Sequence, residues 1–138
     1  MSGRTGGCLC GKVRYQAASA PSWVAHCNCK SGRKASGPPI MTWAGYRPVT
    51  VIWTDGVAKP FASSPDVLRC LCPDCGTPLS CESTRWPDEW HIPVATLEDP
   101  ESVTLTAHAD WPERLAWLEI GNTLKKLETT GTAPKKEY

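Results

Sequence analysis

The chain has 138 residues, an ordinary length for one domain, with 41% hydrophobic and 21% charged side chains. Fifteen basic and fourteen acidic residues leave a net charge of +1, which gives no electrostatic pull toward nucleic acid or an anionic membrane. No apolar run approaches the roughly 20 residues of a membrane helix, and the polar start Met1-Ser2-Gly3-Arg4 lacks a secretory apolar segment; a cytoplasmic protein, one domain over 1–138, is expected.

Thirteen prolines and eleven glycines divide the chain too finely for long helices and point to a mainly β fold. In chain order, residues 13–15 alternate apolar and charged after Gly11, as a half-buried strand does, and residues 22–26 form a second candidate. Residues 49–53 are rich in β-branched and aromatic side chains, with Asp55-Gly56 as a turn signal behind them. Strands are also expected over 67–71, 90–94 and 103–106, with Pro93 placing its strand at an edge or a bulge. Two short helices are expected, over 113–118 and 123–128, and a polar tail from about residue 129.

Eight cysteines stand out against this background. A chain without an export signal is kept reduced, and this one is long enough to bury a core without staples. Their spacing favours metal. Cys8 and Cys10, and likewise Cys27 and Cys29, are two apart and share a strand face, an awkward geometry for a disulfide. Cys72-Pro73-Asp74-Cys75-Gly76 reads as a metal knuckle, in which Pro73 presets the turn and Gly76 takes the positive φ that lets the chain leave. A knuckle supplies two of the four ligands of a structural zinc, and Cys8-Leu9-Cys10-Gly11 is the natural source of the other two. A four-thiolate site at Cys8, Cys10, Cys72 and Cys75 is therefore expected, with Lys12 and Arg69 flanking it as charge-balancing donors.

Three stretches carry a family resemblance. Gly6-Gly7-Cys8-Leu9-Cys10-Gly11-Lys12-Val13-Arg14-Tyr15, then Cys27-Asn28-Cys29 followed by Arg33-Lys34-Ala35-Ser36-Gly37, and Arg69-Cys70-Leu71-Cys72-Pro73-Asp74-Cys75-Gly76-Thr77-Pro78-Leu79 stand in the order and spacing of the glutathione-dependent formaldehyde-activating (CENP-V-like) family. The resemblance implies a tent of short antiparallel strands around a structural zinc at Cys8, Cys10, Cys72 and Cys75. It also implies a second, functional zinc held by a C-x-C-x-x-C motif whose first two cysteines match Cys27 and Cys29. The implied activity is that of a carbon–sulfur lyase acting on the adduct of formaldehyde and glutathione. The chain departs from the pattern at Gly32, where the third cysteine should stand. Two thiolates alone bind metal weakly, so the second site is expected to be vacant or weak unless His26, His108, Cys70 or Cys81 completes it.

Around that site, Arg33 and Lys34 are candidates to hold a glutathione carboxylate, with a solvated turn as the plainer reading. Trp43 and Trp53 are either pocket walls or core. His26 can activate Cys27 if charged, or simply hydrogen-bond. Neither His91 nor His108 has a partner recognisable in the sequence, and Asp88-Glu89 reads as a solvated loop. Two function classes stay open: a zinc-dependent lyase acting on a small thiol adduct, and a non-catalytic zinc-stabilised scaffold that binds a small molecule or protein. Gly32 favours the second and the three motifs favour the first; a Cys27–Cys29 redox pair is a third, weaker reading.

Overall fold

The computed structural model describes residues 3–121 and 123–129. The strands are β1 (Arg4–Gly7), β2 (Arg14–Ala17), β3 (Trp23–Cys27), β4 (Met41–Tyr46), β5 (Val51–Asp55), β6 (Lys59–Ser64), β7 (Val67–Leu71), β8 (Pro78–Ser83), β9 (Trp90–Pro93), β10 (Ala107–Ala109) and β11 (Lys125–Lys126), with one α-helix, α1 (Lys30–Ser36), between β3 and β4. They form a three-stranded sheet in the order β1-β2-β5 and an eight-stranded sheet in the order β11-β10-β3-β4-β9-β8-β7-β6. The expected mainly β fold is present. Most pairings are antiparallel, but β10 runs parallel to both β3 and β11.

Side-chain alternation gives the large sheet two working faces. On one, Val24, Ala44, Leu79 and Ile92 are packed with Tyr15, Ala17 and Val51 of the small sheet into the main core. Leu79 and Ile92 are fully buried there, each removing about 1.5–3 kcal/mol of apolar surface cost from water. On the other face, Cys27, Trp43 and Cys81 gather with Cys29 and Trp86 in a second cluster. Neighbouring residues of one strand thus serve opposite ends: Ala44 fills the core, and Trp43 builds the site.

Several expectations shift. β5 starts only at Val51, because Pro48–Thr50 forms a 3-10 turn that Pro48 starts. Pro93 lies in an interior strand rather than at an edge, but at its last residue, beyond the β8 ladder that ends at His91. The strand expected over 103–106 is displaced to β10, after a 3-10 turn at Pro100–Ser102. The helix expected over 113–118 reduces to a 3-10 turn at Trp111–Glu113, and β11 replaces the one over 123–128, where Leu127 exchanges backbone hydrogen bonds with His108 and Trp111. From residue 130 onward the expected polar tail lies outside the described residues. Helix α1 went unforeseen because it is capped by a sulfur: Cys29 Sγ accepts the Gly32 amide where a hydroxyl or carboxylate normally would.

Gly45 is paired with Trp23 on one side and His91 on the other, and a Cβ there would come within 2.3 Å of the Trp23 ring. Gly45→Ala must displace that ring, with an expected loss of about 1–3 kcal/mol. It should appear as a lower urea midpoint at unchanged slope.

Candidate functional site

The cysteine pairs of the β1–β2 and β7–β8 turns meet at one end of the core. The sulfurs of Cys8, Cys10, Cys72 and Cys75 all lie within 4.8 Å of one another, with Cys8–Cys10 at 3.5 Å and Cys10–Cys72 at 3.8 Å. A tetrahedral metal with bonds of about 2.3 Å to sulfur sets its ligands about 3.8 Å apart, so the cluster fits such an ion. The loops are shaped for it. Gly11 and Gly76 take φ of 81° and 78°, the Val13 amide donates to Cys8 Sγ at 3.3 Å, and Gly76 closes its turn by donating to the Cys72 carbonyl at 2.9 Å. The Thr77 hydroxyl, 3.2 Å from Cys75 Sγ, and the amides of Thr77 and Cys10 hold that thiol down at about 5. Cys10 is pushed up to about 12: the Lys12 amide favours its thiolate, but burial and the three neighbouring sulfurs outweigh it. Lys12 flanks the cluster as expected and is paired with Asp74 at 3.3 Å. Arg69 does not serve there; its Nε donates to Ser63 and it lines a pocket elsewhere. None of the eight cysteines is disulfide-bonded.

A second constellation forms where β3 ends. Cys27, Cys29 and Asp110 are all buried, and their ligand atoms lie within 4.8 Å of one another, with Cys27 Sγ 3.4 Å from Asp110 Oδ2. None of the four expected replacements for the missing cysteine belongs to this group. His26 Nδ1 bonds the Thr42 hydroxyl at 2.8 Å, His108 is buried against His26 and Trp111, and Cys70 opens onto a larger pocket. Cys81 is packed close by, in the same apolar cluster as Cys27 and Cys29. Sequence reasoning passed over Asp110. Nothing in the order of residues around it marks it; in the structure its backbone is left-handed, φ 51°, the only positive φ outside glycine among the described residues. His26 is no activator of Cys27: burial, then the nearby His108, lowers its pKa, while Cys29, burial and Asp110 push the Cys27 thiol up.

Two cavities adjoin this constellation. A small one of about 30 Å³ is walled by Cys27, Cys29, Cys81, Trp43, Trp86 and His91. His91 stacks on Trp86 at 3.8 Å between ring centres and bonds Glu89 at 2.9 Å, so Glu89 lies in the loop before β9 as expected but is paired and only partly exposed. The larger cavity, about 730 Å³, lies over α1 and β6–β8 and carries Lys30, Lys34, Arg69 and Arg85 with no carboxylate in its lining. Trp43 and Arg69 line both spaces. Of the two candidate carboxylate holders, Lys34 faces this pocket, whereas Arg33 is turned away, donating to the carbonyls of Asn28 and Glu113. Trp43 is a pocket wall, as one reading had it; Trp53 belongs to the core margin beside Tyr15 and Trp90.

Residues 3–113 match the protein family described as glutathione-dependent formaldehyde-activating enzyme. An uncharacterized lyase of Schizosaccharomyces pombe is 26% identical over 102 residues, 74% of this chain and 74% of its own. A crystal structure of a Rhodobacter sphaeroides protein, a Northeast Structural Genomics target, aligns with a TM-score of 0.57 at 20% identity, over 68% of this chain and 87% of that one; this likeness concerns the fold.

If the four-sulfur cluster holds a metal, chelation and Cys75→Ser should each lower the melting temperature by roughly 10 °C or more. Unchanged melting would mark the sulfurs as packed thiols only. The hydrogen bond to His91 also holds the Glu89 carboxyl below its ordinary 4.5. A carboxyl depressed on folding adds stability that is complete above 4.5 and is lost as the pH falls through its folded value. Glu89→Gln should therefore lower the urea midpoint at pH 7, by a margin that shrinks as the pH drops below 4.5.

Proposed function

The chain belongs to the glutathione-dependent formaldehyde-activating enzyme family, and from that premise we propose that it is a zinc-dependent carbon–sulfur lyase acting on an anionic thiol adduct of the glutathione type. The observation that carries this reading is the pocket of about 730 Å³ with four cations and no carboxylate, reaching the buried Cys27–Cys29 pair through Trp43 and Arg69. Such a volume suits a small ligand, and a tripeptide thiol with two carboxylates matches its charge. The four-sulfur cluster takes the structural zinc, and Cys27 and Cys29 take the functional one.

In the cleavage direction the adduct's hydroxyl loses its proton, a carbonyl forms at that carbon, and the pair of the carbon–sulfur bond leaves on sulfur, which is then protonated. When bound, zinc supplies Lewis acidity toward the hemithioacetal oxygen and an acceptor for the departing thiolate. The chain's own residues do the positioning. Lys30, Lys34 and Arg85 anchor carboxylates along α1 and the far wall, Phe61 and Trp43 cover the apolar stem, and the stacked Trp86 and His91 leave space for little more than one water at the reacting end. The reading of a decayed scaffold rests on the ligand lost at Gly32, and the buried Asp110 beside Cys27 weakens that ground.

The test is exchange NMR on glutathione and formaldehyde with and without the zinc-loaded protein. Accelerated making and breaking of the adduct, saturable in glutathione, is expected. Lys34→Ala and Arg85→Ala should each raise KM by roughly 10-fold, a charge-assisted hydrogen bond's worth, without changing metal content. Rates equal to the protein-free control at every concentration would sink the proposal.

A further inference from the structure

We propose that Asp110 is the third protein ligand of the second metal site, standing in for the cysteine that the chain lacks at Gly32. This rests on the reading of Cys27 and Cys29 as a metal pair and adds the residue that completes it. The donor set is then two thiolates and one carboxylate, with the small cavity of about 30 Å³ beside it for a water or a substrate sulfur.

Three observations point the same way. The first is placement: a carboxylate only 5% exposed is aimed at two sulfurs that are each 5% exposed, with Cys27 Sγ at 3.4 Å. A buried, ionisable trio of this kind calls for a cation at its centre. The second is the way Asp110 is held. Its backbone sits at φ 51°, a left-handed conformation that aspartate tolerates better than most residues, and its surroundings hold it there. Those surroundings bind the Asp110 segment to the Cys27–Cys29 loop. The Asn28 amide and side chain both donate to the Ala109 carbonyl, at 3.0 and 3.1 Å, and Arg33 spans the carbonyls of Asn28 and Glu113. The Lys30 amide donates to the Glu113 carboxylate at 3.2 Å. Arg33 is thus a positioning residue, clamping the two ligand-bearing segments. The third is the space at Gly32, where a Cβ would lie 2.8 Å from Cys29 Sγ and whose own amide donates to that sulfur at 3.3 Å. The Cβ position of residue 32 thus faces the sulfur pair, but glycine places no ligand there, and the third ligand comes instead from the turn after β10.

The experiment counts metal in the full chain loaded with zinc, with cobalt(II) as a spectroscopic reporter of thiolate ligation. The parent chain should hold two metal ions, and Asp110→Ala should lose the second, its affinity falling by roughly 100-fold or more, since outer partners of a ligand alone are worth 10–100-fold. Asp110→Asn, which keeps the shape, should weaken the second site in the same direction while the first keeps the melting temperature near that of the parent. Adding Gly32→Cys to Asp110→Ala should restore the second metal with a stronger sulfur-to-cobalt band. A second metal that Asp110→Ala and Asp110→Asn leave unchanged, or a parent chain that holds one ion only, overturns the assignment. Metal counting needs no substrate, so a chain holding two ions that fails to turn over adduct would sink the lyase reading and leave Asp110 in place.

Discussion

The meeting of Cys8 and Cys10 with Cys72 and Cys75 is the constraint from which the rest of the architecture follows. One pair lies in the turn between β1 and β2 of the small sheet, the other in the turn between β7 and β8 of the large one. Four sulfurs drawn to one point fix the distance between the two sheets at one end of the core, and Cys8 and Cys72 are themselves part of that core. Few other cross-links are needed, because Tyr15, Leu79 and Ile92 can then close-pack between surfaces whose separation is already set.

With one face of the large sheet committed to that core, its opposite face is available for chemistry. Alternation does the sorting residue by residue: Leu79 inward and Cys81 outward on β8, Ala44 inward and Trp43 outward on β4. Helix α1 then lies against the outer face, with its first turn tied to Cys29, and brings Lys30 and Lys34 over the pocket while Arg33 turns back into the clamp on Asn28 and Glu113. The three basic residues of α1 thus divide between pocket side and scaffold side, a division that their charge alone does not show.

Much of the four-sulfur cluster could be read directly, because ligand pairs two or three residues apart are local geometry: a strand or a tight turn must aim both sulfurs the same way. Strand β7 was legible for the same reason, its alternation being intrinsic to residues 67–71. Strand β10 and the two-residue β11 were not, since three or two residues carry no period; β11 pairs only with β10, and the pairing of β10 with β3 depends on a parallel neighbour more than 80 residues away in the chain. Helix α1 was hidden by its sulfur cap and by the glycine inside it. The partner of His91 was hidden because Glu89 stands in the loop just before β9, where no period marks it, and turns its carboxylate back to a ring two residues on.

What the amino-acid order determined by itself is the pattern of local constraint: short strands, two kinds of cysteine pair, a knuckle closed by Gly76, and a motif that lacks one ligand at Gly32. Spacing sets these, and spacing is visible in one dimension. Which group faces Cys27 and Cys29 was decided by the tertiary structure alone. The register of β10 on β3, Ala109 opposite Cys27, carries Asp110 to the sulfurs from 83 residues away. A parallel pairing joins segments whose separation along the chain bears no relation to their distance in space, so no local signal foretells it.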